Sequence, residues 1–175
     1  MNRSAKAGSN PSGATAISQP SRVVTGEALT SGYARGPKAW LSEPLSFWGG
    51  YDSARGTIVD KTHPCFGQGL GGTIMVMPRA KGSSSSSSVL AEAIRNGTRP
   101  LGIILRERDL IIATGVIVAS ELYGINVPLV VIADVDFESV GDADAVIEIA
   151  SPDPLGLARI TLIASSRAVF EQDMT

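Results

Sequence analysis

The stretch Thr73-Ile-Met-Val-Met77-Pro-Arg-Ala-Lys-Gly82-Ser83-Ser-Ser-Ser-Ser-Ser88-Val89-Leu-Ala-Glu-Ala-Ile-Arg95 decides how this chain is read. An apolar, strand-like run leads through Gly82 into six serines, Ser83 to Ser88, and then into a helix-like segment from Val89 to Arg95. A serine tract in a long polar stretch is a flexible linker, but between two ordered elements this one has no room to be one. It predicts a strand-to-helix turn. Such a turn leaves the first N–H groups of the helix unpaired at the positive end of its dipole, beside a row of hydroxyls. An anionic substrate or an activated serine is at home in that setting.

Outward from the turn, the pattern becomes a regular alternation. The helix stops at Asn96-Gly97, a strand follows over Leu101 to Leu105, a second helix over Leu110 to Tyr123 ends at Gly124, and a strand over Pro128 to Ile132 completes a βαβαβ unit. Parallel strands joined by helical crossovers follow, and the fold class is α/β. Ahead of the turn, Val23 to Met77 is β-rich and loop-rich: Trp40-Leu41, Leu45-Ser-Phe-Trp48, Thr57-Ile-Val59 and Thr73 to Met77 are cut by Gly36-Pro37, Gly49-Gly50, Asp52 to Gly56 and Gly67 to Gly72. Behind it, Ala145 to Ile149 and Arg159 to Ile163 flank the loop Ser151-Pro-Asp-Pro-Leu-Gly156, with Asp142 and Asp144 in the preceding turn. These two strands are placed to close a sheet or a flattened barrel.

At 175 residues and 43% hydrophobic, the chain can bury one sizeable core. Residues 1–21, rich in Ser, Gly, Ala and Pro, read as a disordered tail, and residues 22–175 as one domain opening on a short strand, Arg22-Val-Val-Thr25. The tail has no apolar core, so it is no secretory signal, and a cytoplasmic protein is expected. Over residues 1–26, Arg3, Lys6 and Arg22, the serines and the lack of acids match a transit peptide in composition, yet Gly8, Pro11, Gly13 and Pro20 spoil an amphipathic helix. The uncharged run Leu110 to Ser120 is too short for a membrane span, which takes roughly 20 residues. A formal charge of -2, with no basic block, gives no electrostatic case for nucleic acid or an anionic membrane. One cysteine and one histidine form no internal disulfide and no metal site by themselves.

Within the turn, Gly82 permits a close backbone approach and positive φ, Ser83 follows in the N-cap region, and Lys81 lends positive charge. Preorganised N–H donors at a helix start would stabilise Ser83 as an alkoxide base, whereas the ordinary role of a serine there is to cap the helix. A hydrolase triad does not fit, because there is no Gly-x-Ser-x-Gly and the one histidine, His63, lies in a proline-flanked loop. A Walker loop does not fit either, since Lys81 precedes its glycine. Asp60-Lys-Thr-His-Pro-Cys65 gathers a carboxylate, an imidazole and a thiol, which read as ligands or, more simply, as a structured turn around a small hydrophobic cysteine. Phe47 and Trp48 beside Gly49-Gly50 suit either a pocket wall or the core. In Arg106-Glu-Arg-Asp109, Asp109 is a helix cap and the rest a solvated loop.

Read in order, Glu43-Pro-Leu-Ser-Phe-Trp-Gly-Gly-Tyr-Asp52, Gly56-Thr-Ile-Val-Asp60, His63-Pro-x-Phe-Gly67, the strand to Met77 with Pro78, Gly82-Ser83 and Ser87-x-Val-Leu90 resemble the small subunit, or swivel domain, of the aconitase X family. The resemblance runs from about Val23 to Ile132. It implies a swivelling β/β/α barrel that docks on a large subunit or fused domain carrying an iron-sulfur cluster or mononuclear iron. It also implies that Ser83 is the base that takes a proton from carbon. Gly82, Lys81, Ser84 and Ser87 would then contact a small hydroxy-acid substrate. The family dehydrates hydroxy acids, and Phe47-Trp48 with the serine-rich turn resemble the bacterial cis-3-hydroxy-L-proline dehydratases more than the archaeal mevalonate 5-phosphate dehydratases. By that resemblance, the partner's iron would bind the substrate carboxylate and hydroxyl while Ser83 takes the α-proton. Two departures stand out. Ala80-Lys81 replaces the Gly-Arg of many relatives, which moves the cationic role to Lys81 or Arg79. Cys65 replaces a bulky aliphatic residue, which makes it a candidate cluster ligand. The rival reading is a non-catalytic docking or regulatory subunit.

Overall fold

The computed structural model describes residues 21–165. The expected tail lies outside them apart from Ser21, where the first strand already begins. Seven strands close a barrel in the order β1 (Ser21–Thr30), β7 (Leu129–Val131), β6 (Gly102–Leu105), β5 (Ile74–Met77), β2 (Gly32–Trp40), β8 (Ala145–Ser151) and β9 (Leu157–Ala164). β2, β5, β6 and β7 run parallel, while β1 and β8 run against their neighbours. Helices α2 (Ser86–Asn96) and α3 (Leu110–Tyr123) make the crossovers from β5 to β6 and from β6 to β7.

The central parallel strands are buried on both faces, which is why they read as unbroken apolar runs. Alternate residues divide between two cores. Met75, Met77, Ile103, Leu105 and Leu129 pack against Leu90, Ile94, Ile112 and Val116 of the two helices. Ile74, Val76, Ile104 and Val130 meet Ile147, Ile149, Ile160 and Leu162 inside the barrel. The result is a flattened β/β/α barrel. Both helices end on glycines in the left-handed region, Gly97 (φ 75°) and Gly124 (φ 65°), as their sequence positions predict.

The structure corrects four expectations. The opening strand is ten residues long and is followed by a nine-residue partner, β2, which runs straight through Gly36-Pro37 rather than turning there. Glycine serves here for close approach, because a Cβ on Gly36 would stand 3.0 Å from the Gly72 carbonyl and one on Gly26 would stand 2.8 Å from the Val131 carbonyl. Leu45-Ser-Phe-Trp48 is not a strand: Leu45 makes a single parallel bridge to Ala80, and Phe47–Gly50 form a broken one-turn helix, α1. The crossover helix begins at Ser86, not Val89, so three of the serines are helical. Finally, α4 (Asp134–Asp142) occupies the segment ahead of β8, and its Phe137 and Val140 join the barrel core beside Trp40, whose ring lies 4.8 Å from that of Phe137. β3 (Tyr51–Asp52) and β4 (Thr57–Ile58) form a small separate hairpin. Among the described residues, no helix is long and apolar enough to cross a membrane.

Candidate functional site

The C-terminal ends of β5, β6 and β7 meet at one edge of the barrel, where side chains and backbone groups are left outside the ladder. In α/β proteins this edge is the usual place for ligands. Here it carries the turn from Pro78 to Ser85. Gly82 adopts φ +89°, and a Cβ there would stand 2.9 Å from the Ser46 Oγ, so the expectation that only glycine fits is met on both counts. Ser83 follows it, exposed to solvent.

Ser83 is not the N-cap. That position falls to Ser85, which makes no side-chain cap bond. Instead the Ser83 Oγ accepts the Ser85 N–H at 3.2 Å, and the Ser83 carbonyl accepts the Ser86 N–H at 3.0 Å. The hydroxyl oxygen therefore already takes a backbone donor from the start of α2, and the helix dipole points its positive end the same way. Such donors stabilise negative charge that develops on an oxygen.

The remaining expected contact residues divide. Lys81 stands beside the turn but is paired with Asp60 at 3.7 Å. The hydroxyl and N–H of Thr62 lower the pKa of the Asp60 carboxyl, and Lys81 and His63 add to that shift. Ser84 is exposed, and its carbonyl accepts the Ser87 Oγ–H at 2.8 Å, so Ser87 is engaged locally on the same turn. Ser86 is wholly buried and its Oγ accepts the Trp48 N–H at 3.0 Å. That bond ties the Glu43-to-Gly50 segment to the serine turn, which the sequence alone did not reveal. Phe47 enters the core, where its ring meets Tyr51 edge-on, while Trp48 remains 60% exposed.

The Asp60-to-Cys65 stretch behaves as a structured turn. His63 is buried; its Nδ1 accepts the Cys65 N–H at 3.0 Å, which leaves Nε2 to donate to the Glu43 carbonyl at 3.3 Å. Nδ1 thereby braces its own turn, and Nε2 ties that turn to the loop at Glu43. The Cys65 thiol faces the Trp40 carbonyl at 3.6 Å and packs against the helix-side core. Burial, with the Glu43 carboxylate adding to it, pushes this thiol's pKa up. Metal ligation needs the thiolate. Among the described residues, no group of three His, Cys, Asp or Glu side chains could hold a metal ion. The donors of this stretch therefore do not by themselves make a site for an iron-sulfur cluster or a mononuclear iron.

Sequence reading also missed how the turn is held. The Lys81 N–H donates to the Leu45 carbonyl at 3.1 Å, and the Pro78 carbonyl accepts the N–H groups of Arg106 and Glu107 at 3.2 and 3.0 Å. Asp109 caps α3, as expected, through the Ile111 and Ile112 N–H groups, and its other oxygen takes the Ala80 N–H at 2.8 Å.

Residues 23–153 match the aconitase X swivel domain family. The chain belongs to that family. It is 39% identical over 115 residues to the cis-3-hydroxy-L-proline dehydratase of Hypocrea jecorina, covering 66% of this chain but 19% of that protein. It is 40% identical over 91 residues to the phosphomevalonate dehydratase small subunit of Methanothermobacter thermautotrophicus, covering 52% of this chain and 70% of that one. Among solved structures, holo aconitase X of Thermococcus kodakaraensis superposes with a TM-score of 0.65 at 29% identity, over 79% of this chain and 98% of that chain. This aconitase X swivel domain thus spans about a fifth of the length of the first of these relatives.

Proposed function

We propose that this swivel domain supplies the serine general base of an aconitase X-type hydro-lyase, with Ser83 as the base and its other half-site on a large subunit or fused domain. One observation carries the reading: an exposed serine directly after a glycine held at φ +89°, its Oγ already accepting a backbone N–H from the start of a helix. As an alkoxide, Ser83 would take the α-proton of a small hydroxy acid and become the neutral hydroxyl. The electron pair left on carbon forms the double bond as the 3-hydroxyl departs as hydroxide, which becomes water with the proton that Ser83 gives up as its alkoxide is restored. For cis-3-hydroxy-L-proline the product is an enamine that tautomerises to Δ1-pyrroline-2-carboxylate. Lys81, the Gly82 backbone and the Ser84 hydroxyl would hold the substrate carboxylate, with Ser87 bracing Ser84 through its carbonyl. Any iron centre of the enzyme would belong to the partner.

The charge pattern favours hydroxyproline over a phosphorylated substrate. The basic side chains of this edge already have acids within 4.0 Å: Arg79 with Glu107, Lys81 with Asp60, Arg106 with Glu138 and Asp134, and Arg108 with Glu27. A phosphate needs more unpaired positive charge than that. A zwitterionic amino acid does not.

The same edge is also the proposed partner surface. Proton removal from carbon requires a site closed to water. Yet an apolar cleft of about 350 Å³ is lined by Leu29, Val116, Ile117, Val127 and Leu155, and no residue of the serine turn lines it. Leu110, 82% exposed beside Asp109, and Trp48 offer apolar contact around the turn. The deciding experiment is co-expression with the large subunit and assay of both candidate substrates. Neither subunit alone should dehydrate cis-3-hydroxy-L-proline, the pair should, and Ser83→Ala should abolish turnover while the pair still co-purifies. Normal turnover in that variant would leave only the docking-subunit reading.

A further inference from the structure

We infer that Asp109 is a positioning residue for the serine turn, acting through the Ala80 backbone in addition to capping α3. This rests on the proposed role of Ser83. Three N–H groups converge on one carboxylate. Oδ1 takes those of Ile111 and Ile112 at 2.9 and 3.1 Å, and Oδ2 takes that of Ala80 at 2.8 Å. The first two are ordinary capping bonds within one helix. The third crosses from β6's loop to β5's loop and fixes the backbone three residues before Ser83. A helix cap does not need it.

The neighbouring ties show what the third bond adds. Pro78 is held through its carbonyl and Lys81 through its N–H, both by backbone partners. Gly82 rests against Ser46. Of the backbone ties described for this run, that of Ala80 is the one made by a charged side chain, and charge-assisted bonds are stronger than neutral ones. Ala80 is itself buried, at 5% exposure, so without Asp109 its N–H would have to find another partner or shift the turn. A base displaced by about 1 Å can lose a hundredfold in rate. Asp109 thus links the geometry of Ser83 to the first turn of α3.

A single-acceptor side chain separates the two roles. In the co-purified complex, Asp109→Ser keeps an N-cap oxygen for α3 but has none left for Ala80. We expect kcat about 10- to 100-fold lower, KM changed less than about threefold, and substrate binding retained. Asp109→Ala should lose thermal stability further while its kcat falls no lower than that of the serine variant. Gly124→Ala provides the structural comparison. It strains the C-terminal end of the same helix at φ 65° without touching the turn, and should lower Tm while leaving kcat unchanged. Wild-type kcat in Asp109→Ser, or kcat losses that simply track Tm across all three variants, would overturn the inference. Ser83→Ala, measured alongside, keeps the two claims apart. If it is inactive while Asp109→Ser is fully active, only the positioning role fails; if it is active, the base assignment fails and the positioning role with it.

Discussion

Replacing Gly82 with alanine tests the turn at its most constrained point. Two costs add. An L-residue held in the left-handed region costs about 1–2 kcal/mol, and the backbone there sits at φ +89°. The new methyl would also stand 2.9 Å from the Ser46 Oγ, an atom that donates to the Trp48 carbonyl at 2.9 Å. Moving that hydroxyl aside forfeits a hydrogen bond worth about 1 kcal/mol. The turn cannot slide away freely, because the flanking Ala80 and Lys81 N–H groups are tied to Asp109 and Leu45. The total is about 2–3 kcal/mol, or a Tm lowered by roughly 4–12 °C for a domain of this size. Thermal unfolding followed by circular dichroism reads it directly. Gly67→Ala isolates the backbone cost, since Gly67 has φ +81° and open space where its Cβ would go. Ser46→Ala removes the clashing oxygen and leaves the Ser46 Cβ at 3.4 Å, so the cycle of Gly82→Ala with Ser46→Ala should show a coupling of about 1 kcal/mol. A Gly82→Ala protein with both wild-type Tm and wild-type turnover would refute the claim that this turn is fixed.

Three further outcomes follow from the site. Ser86→Ala should cost about 1–2 kcal/mol by leaving the Trp48 N–H without its acceptor, a Tm loss of roughly 2–8 °C on thermal melting. Lys81→Met removes only a half-exposed ion pair worth at most about 1 kcal/mol, so Tm should move by less than roughly 4 °C, whereas KM should rise about 10- to 100-fold if Lys81 holds the substrate carboxylate. Cys65 should react with iodoacetamide more slowly than free cysteine at pH 8, because burial and Glu43 raise its pKa, and the gap should close as pH rises and the thiolate forms; reaction as fast as the free thiol would contradict that shift.

What the sequence disclosed was decided by local patterns. Ile74–Met77, Gly102–Leu105 and Leu129–Val131 are buried on both faces and therefore read as apolar runs, and the helix ends declared themselves through Gly97 and Gly124. β2 was hidden because Gly32, Gly36 and Pro37 punctuate it, and nothing local tells a glycine required by a neighbouring backbone from one required by a turn. α4 was hidden because it spends only Phe137 and Val140 on the core and carries a glycine, Gly141, against the Trp40 ring. The start of α2 was misplaced for another reason: identical serines carry no periodicity, so a buried Ser86 and an exposed Ser83 look the same in sequence. At the turn, the left-handed Gly82 was legible from its place between strand and helix. Ser46, Ser86 and the second role of Asp109 were not, because their partners lie far away in the chain.

Those long-range ties bear on how a half-site can work. A catalytic serine on an exposed loop would ordinarily pay in mobility, since loops open at little free-energy cost. Here the loop is short of freedom: Pro78 and Ala80 are bonded to the loop after β6, Lys81 to Leu45, Gly82 lies against Ser46, and the residues from Ser86 onward are already helical. Gly115 of α3 closes the arrangement from behind, with room for no side chain because its Cβ would stand 2.8 Å from the Ser87 carbonyl. The turn that carries the serine is thus tied to the barrel ahead of it and to α2 behind it. If the other half of the site lies on a second body, proton transfer then depends on one docking geometry and not on the conformation of a loop, and a base fixed in advance loses no orientation entropy at the moment of reaction.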